Sequence, residues 1–141
     1  MQTIQVSKLL KNVLIADAIG GVASAALHLV GGAALAGMLA LPQSLLTGSG
    51  LFLAGYAVVL FALALRRTLP KVVIWAVIGG NVVWSLIAVD IALMGLVSPN
   101  ALGLAYLVVQ AVAVLALAVL EYLGLKASPV VRETRTVGAL A

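Results

Sequence analysis

The chain has 141 residues, of which 65% are hydrophobic and 9% charged, with eight basic and four acidic residues and a mean hydropathy of +1.28. A water-soluble domain is roughly half apolar and about a quarter charged, so this composition points to lipid as the solvent. The absence of cysteine excludes disulfides, thiolate metal sites, Cys-linked haem and a Cys nucleophile, and the single histidine, His28, excludes a multi-His metal or bis-His haem site within one chain.

The first eleven residues alternate between apolar and polar side chains, which suits a short interfacial helix or an extension of the first spanning helix. A spanning helix takes about 20 apolar residues. The first such segment runs from Val13 to Leu41 and is closed by Pro42. Leu39-Ala40 loosely resembles a cleavage site, but the run far exceeds the ~7–15 residues of a signal-peptide core, so it is expected to persist as a spanning helix. It carries Asp17, Gly21, Ser24 and His28 at spacings of four, three and four, which is one helical face. Gly20, Gly21, Gly31, Gly32 and Gly37 favour close approach of another backbone.

The second segment runs from Leu51 to Leu65, with a start as early as Leu45 also compatible, and Arg66 and Arg67 close it. The third runs from Val72 to Val97 after Pro70 and Lys71, and places Asn81, Ser85, Ala88, Ala92 and Gly95 on one small, weakly polar face. Asp90 points almost the opposite way. In the outer half of a membrane a carboxyl is costly, so Asp90 reads as a protonatable or cation-binding site, as a neutral acid bonded to another helix or subunit, or as a group reaching the outer headgroups. Trp84 falls mid-span and reads as packing. The fourth segment runs from Ala101 to Leu125, after Ser98-Pro99-Asn100 and before Lys126, and carries Gly103, Tyr106, Gln110, Ala113 and Glu121 close to one face.

Residues 1–126 therefore read as one transmembrane domain and residues 127–141, with Pro129, Arg132, Glu133 and Arg135, as a mobile cytoplasmic tail. The fold class is all-α: short connections make consecutive helices antiparallel, as in an up-down four-helix bundle. All eight basic residues flank the same ends of the spans, and the two other loops are uncharged. The positive-inside rule puts both termini in the cytoplasm. Charges at span ends are topology signals, so nucleic acid is not an expected partner.

Asp17 and His28 are eleven residues apart, and so are Gln110 and Glu121. If the first and last helices are antiparallel neighbours, Asp17 lies near Glu121 and His28 near Gln110, the latter pair roughly 25 Å from the basic end. Such a seam suits ligand binding or proton relay. It equally suits a purely structural role, with His28 bonded to Gln110 and the carboxylates paired with Lys11, Arg66, Arg67 or Lys126. Polar contacts of that kind contribute about 0.6–2 kcal/mol and fix register.

Several stretches resemble those of small uncharacterised bacterial inner-membrane proteins with four helices: Leu39-Ala40-Leu41-Pro42, the Arg66-Arg67 stop, Gly80-Asn81-Val82-Val83-Trp84, Ser98 to Gly103, and Gln110 followed by Glu121-Tyr122-Leu123-Gly124-Leu125-Lys126. The resemblance implies a bacterial inner-membrane location and no particular activity. A second likeness is to small multidrug exporters, which share the helix count and an acid in the first helix, the place of Asp17. Here the acid lies near the basic end rather than mid-span, and the charge bias opposes the dual topology of that family. No hydrolase, kinase or phosphate-loop motif is present, and no cofactor is implied. Three expectations follow. The first is a non-catalytic oligomer or accessory subunit, or a binder of lipid or a hydrophobic small molecule. The second is a proton-coupled transporter or channel using Asp17, Asp90 or Glu121. The third, least supported, is a lipid-modifying enzyme with His28 as base. Expected partners are membrane lipids and a second copy or larger membrane complex.

Overall fold

A computed structural model describes residues 2–95 and 97–131. Arg132, Glu133 and Arg135 lie outside the described residues. The elements in chain order are β1 (Thr3–Gln5), α1 (Lys8–Val30), α2 (Gly32–Leu39), α3 (Gln43–Ala64), β2 (Thr68–Pro70), α4 (Lys71–Leu93) and α5 (Ala101–Lys126). Four of them, α1, α3, α4 and α5, are long and apolar enough to cross a membrane.

Of the first eleven residues, Thr3–Gln5 form a strand and Lys8–Lys11 extend the first spanning helix. Period two is the strand period, and β1 pairs antiparallel with β2, placing Ile4 opposite Leu69. Both side chains turn inward and are buried. The start of the expected tail adds to this cap: Ile4 bridges Val130, Gln5 N–H donates to the Pro129 carbonyl and Val131 N–H to the Thr3 carbonyl, both at 2.8 Å. Residues 128–131 are therefore tied to the bundle and are not a free extension.

Helix α1 begins at Lys8 rather than Val13 because Ser7 caps it. The Ser7 hydroxyl oxygen accepts from Leu10 N–H at 3.1 Å while its O–H donates to the Gly124 carbonyl at 3.0 Å. One side chain thus satisfies an orphan donor of α1 and anchors α1 to the end of α5. Ser7→Ala is expected to lower stability by about 1–2 kcal/mol, read as unfolding in detergent micelles, and Ser7→Thr to retain most of it.

The expected single helix from Val13 to Leu41 is two helices. It breaks at Gly31, and α2 stops at Ala40, which takes left-handed backbone angles (φ 52°, ψ 42°). Helix α3 starts at Gln43, close to the earlier of the two expected starts (Leu45) rather than at Leu51, so Thr47-Gly48-Ser49-Gly50 is helical despite its turn-forming composition. Tertiary packing outweighs propensity there: Gly50 lies against His28 and Leu29, and a Cβ on it would sit 2.9 Å from the His28 Cβ. Helix α4 ends at Leu93, short of Val97, with Gly95 at φ +68° beyond it. Asn100 caps α5, accepting from Gly103 N–H at 2.9 Å, and its amide donates to the Met38 carbonyl at 2.7 Å.

Helix α1 packs on α3 and α5, and α4 packs on α5. Neighbouring long helices run antiparallel: Gly21 meets Ala57 where His28 meets Gly50, and Gly124 meets Leu10 at the basic end. Of the five small residues singled out in α1 and α2, only Gly21 receives another helix; Gly20, Gly32 and Gly37 face open space. The backbones of α3 and α4 barely approach each other, which leaves a seam along one side. The distribution of polarity is inverted relative to a protein folded in water. Asp17, His28, Asn81, Ser85 and Glu121 are buried while Val30, Val58, Leu86 and Val109 are exposed.

Candidate functional site

Nearer the basic end, Asn81 of α4 sits between two carboxyl groups. Its Nδ2 donates to Asp17 Oδ2 of α1 at 2.9 Å and to Glu121 Oε2 of α5 at 3.1 Å. Its Oδ1 accepts from the Tyr56 hydroxyl of α3 at 3.2 Å, so one amide joins all four long helices. Ser85 one turn on donates to the Asn81 carbonyl at 3.0 Å. Glu121 is 0% exposed, and its Oε1 has no hydrogen-bond partner among the described residues.

The juxtaposition of Asp17 and Glu121 agrees with the spacing argument, but the partners do not. Both carboxyl groups are held by a neutral amide rather than by Lys11, Arg66, Arg67 or Lys126. The first three are exposed, and Lys126 lies over the Tyr122 ring, 5.0 Å from its centroid. Helical period placed Asn81 on a packing face; only the fold shows that this face meets two acids. Tyr56 carried a weaker signal, since a mid-span tyrosine needs a partner for its hydroxyl.

A second polar layer lies toward the uncharged end. The Gln110 side-chain amide donates to the Tyr106 hydroxyl, which bonds His28 Nε2, while His28 Nδ1 meets Ser49 Oγ at 2.9 Å. Ser49 in turn donates to the Leu46 carbonyl at 2.9 Å. Because the Ser49 proton is committed there, the directions are consistent throughout if His28 carries its proton on Nδ1 and accepts at Nε2. His28 and Gln110 are therefore joined through Tyr106 rather than directly, a correction of one helical turn. Ser49 was obscured by its turn-like neighbours. Asp90 joins neither layer: it is exposed in the last turn of α4.

A cavity of about 160 Å³ lies between the layers, walled by Asp17, Gly20, Tyr56, Gly80, Asn81 and Leu117 among others. A second, of about 280 Å³, continues past His28, Ser49, Tyr106 and Ile91. Phe52, Trp84 and Gln110 line both. Along the α3–α4 seam three rings stand nearly parallel: Phe52 is 5.4 Å from Trp84 at 9° and 5.9 Å from Tyr56 at 12°. Phe52 is exposed on the outer surface and lines both cavities. A Cβ built on Gly20 or Gly80 meets nothing within 4 Å; the absent side chains leave the space open.

Among the described residues no group of three or more His, Asp or Glu side chains is placed to hold a metal. What the arrangement offers is an apolar chamber with an acidic floor, a hydrogen-bonded His–Tyr–Gln layer and an aromatic side wall. No protein family, no curated protein and no solved structure matches the chain.

Proposed function

We propose that this is a multi-pass protein of a bacterial inner membrane, with both termini cytoplasmic, that binds a hydrophobic small molecule between its helices. The orientation rests on the one-sided distribution of lysine and arginine, and the compartment on the resemblance to small bacterial four-helix membrane proteins. The exposed valines and leucines would meet membrane lipids, and a homo-oligomer or larger complex would use the same faces. The observation that carries the binding role is the seam between α3 and α4, where the backbones stay apart and side chains line a cavity that four tightly packed helices would have eliminated. Interiors normally leave few voids larger than a water. An apolar chamber beside the exposed Phe52 ring is suited to a ligand arriving from within the bilayer.

The chamber can be filled from its own wall. Gly80→Leu is expected to weaken binding of Nile red to protein in lipid nanodiscs at least 10-fold, with the helical circular dichroism and thermal unfolding of the parent retained. Unchanged dye affinity in a folded Gly80→Leu protein would refute the chamber as the binding site.

The Asp17–Asn81–Glu121 cluster favours a second reading, a proton-coupled transporter, because a carboxyl oxygen with no partner is an open proton site. Liposomes containing the protein would then dissipate an imposed pH gradient faster than empty liposomes, and Glu121→Gln would abolish the difference.

A further inference from the structure

The lysines of the basic end are not spread evenly over it. A third cavity, of about 350 Å³, lies beside the ends of α4 and α5, within the ~300–1,000 Å³ range of small-molecule sites. Lys71 borders it from the first turn of α4 and Lys126 from the last turn of α5. Trp75 and Tyr122, each one turn further in along its helix, border it too, with their rings 5.8 Å apart. The Lys126 ammonium lies over the Tyr122 ring, 5.0 Å from its centroid. Buried Ile4 and Leu125 add apolar surface. Among the described residues no aspartate or glutamate borders the cavity, and Glu121, the acid nearest in sequence, is turned to Asn81. The Ser128 hydroxyl is committed to the Gly124 carbonyl at 2.8 Å, so the side-chain donors left are the two ammonium groups, the Trp75 indole N–H and the Tyr122 hydroxyl.

A one-sided distribution of charge fixes orientation, but orientation does not require two lysines to share one concavity. Lys71 is also poorly placed on its own helix, because the N-terminal end of the helix dipole disfavours a cation. An anion between the two ammonium groups offsets their repulsion, suits the α4 terminus and accepts charge-assisted hydrogen bonds. We infer that this cavity binds the phosphodiester of an anionic membrane lipid, its phosphate held by Lys71 and Lys126 and its glycerol against Trp75 and Tyr122. A soluble phosphoester carries the same anion; the lipid is favoured by what lies beyond the cavity. The helical rows that hold the lysines continue toward mid-span through Gly79 in α4 and through Val119 and Leu115 in α5. All three are exposed, so acyl chains leaving the headgroup meet open apolar surface. Trp and Tyr near span ends sit at headgroup level, and basic pockets between spanning helices on the cytoplasmic side suit anionic headgroups.

This inference rests on the reading of the chain as membrane-spanning and is independent of the chamber. The full chain is reconstituted in nanodiscs of equal phosphatidylcholine and phosphatidylglycerol, and the lipids it retains on transfer to detergent are counted by native mass spectrometry. The wild-type chain is expected to retain about 10-fold more phosphatidylglycerol, below the roughly 30-fold that two basic residues beside an anionic surface can supply. Lys71→Gln with Lys126→Gln is expected to abolish the preference. Should that pair fail to fold, Lys71→Gln alone is expected to lower it by about 3-fold, the square root of the whole. Arg66→Gln with Arg67→Gln removes equal charge from the same end but not from the cavity lining, and is expected to retain the preference. Excess sn-glycerol 3-phosphate is expected not to displace the lipid; displacement overturns the lipid assignment in favour of a soluble phosphoester. Equal retention of the two lipids, or equal loss of preference in the lysine and arginine variants, overturns the site in favour of diffuse attraction to the basic end. A chain that fails to enter nanodiscs refutes the membrane reading itself, whereas one that enters them without lipid preference refutes only this site.

Discussion

Asn81→Leu is expected to destabilise the protein by about 2–4 kcal/mol, among the largest effects available from a single side chain. The substitution leaves Asp17 Oδ2, Glu121 Oε2 and the Tyr56 hydroxyl without their partner. Each buried group left unsatisfied costs about 1–3 kcal/mol. The lower part of that range applies here, because chains unfolded within a bilayer find other partners. Native proteins are stable by about 5–15 kcal/mol in all, so the loss is a large fraction of the total. Unfolding in mixed detergent micelles measures it. A variant with leucine at Asp17, Asn81 and Glu121 together is expected to recover most of that stability, since replacing a whole polar cluster by apolar groups is often neutral or stabilising. Such recovery would mean that the cluster is kept for what it binds. A loss below about 0.5 kcal/mol for Asn81→Leu alone, within the usual range of surface changes, would show that the amide is not what holds the two carboxyl groups.

Gly124→Leu is expected to cost about 3 kcal/mol, the upper end of what overpacking normally imposes. A Cβ at this position would lie 2.8 Å from the Leu10 Cα and 3.0 Å from its backbone nitrogen. Those are backbone atoms of α1 and cannot rotate away, so the two helices must part. Parting them also strains the Ser7 hydroxyl bond to the Gly124 carbonyl. Gly20→Leu is the matched control: it lies within α1 with nothing within 4 Å of its Cβ, and its expected effect is within about 0.5 kcal/mol. The pair of measurements tests close approach rather than helix propensity, since both changes replace a helical glycine by the same residue. Equal destabilisation by the two would refute the α1–α5 contact as the origin of the effect.

These predictions also show which features were legible before any coordinates. Four helices long and apolar enough to cross a membrane follow from local quantities, hydropathy and segment length, and they are present in the structure. The meeting of Asp17 with the Glu121 region follows from equal eleven-residue spacings on helices of opposite direction, because helix rise is constant. Helix ends were less legible. Hydropathy is averaged over a window and does not register a cap, so the start at Ser7, the break at Gly31 and the end at Leu93 were displaced. Asp90, expected in the outer half of the third span, lies in the last turn of α4 and is exposed.

What the sequence by itself determined is the number of long apolar helices and the helical face each polar residue occupies. What only the tertiary structure decided is which faces meet. Asn81 between two acids, Tyr106 between Gln110 and His28, and Phe52 against Trp84 are contacts between residues 32 to 78 apart in the chain, apart from the Tyr106–Gln110 turn. No local period encodes them, because each depends on how far neighbouring helices are rotated and how closely they approach. That distance is set by single glycines: Gly124, Gly50 and Gly21 bring backbones together, whereas Gly20 and Gly80, identical in sequence terms, leave a chamber open. The physical reason is that a glycine specifies the absence of a side chain, and whether another helix or empty space takes its place depends on the rest of the fold.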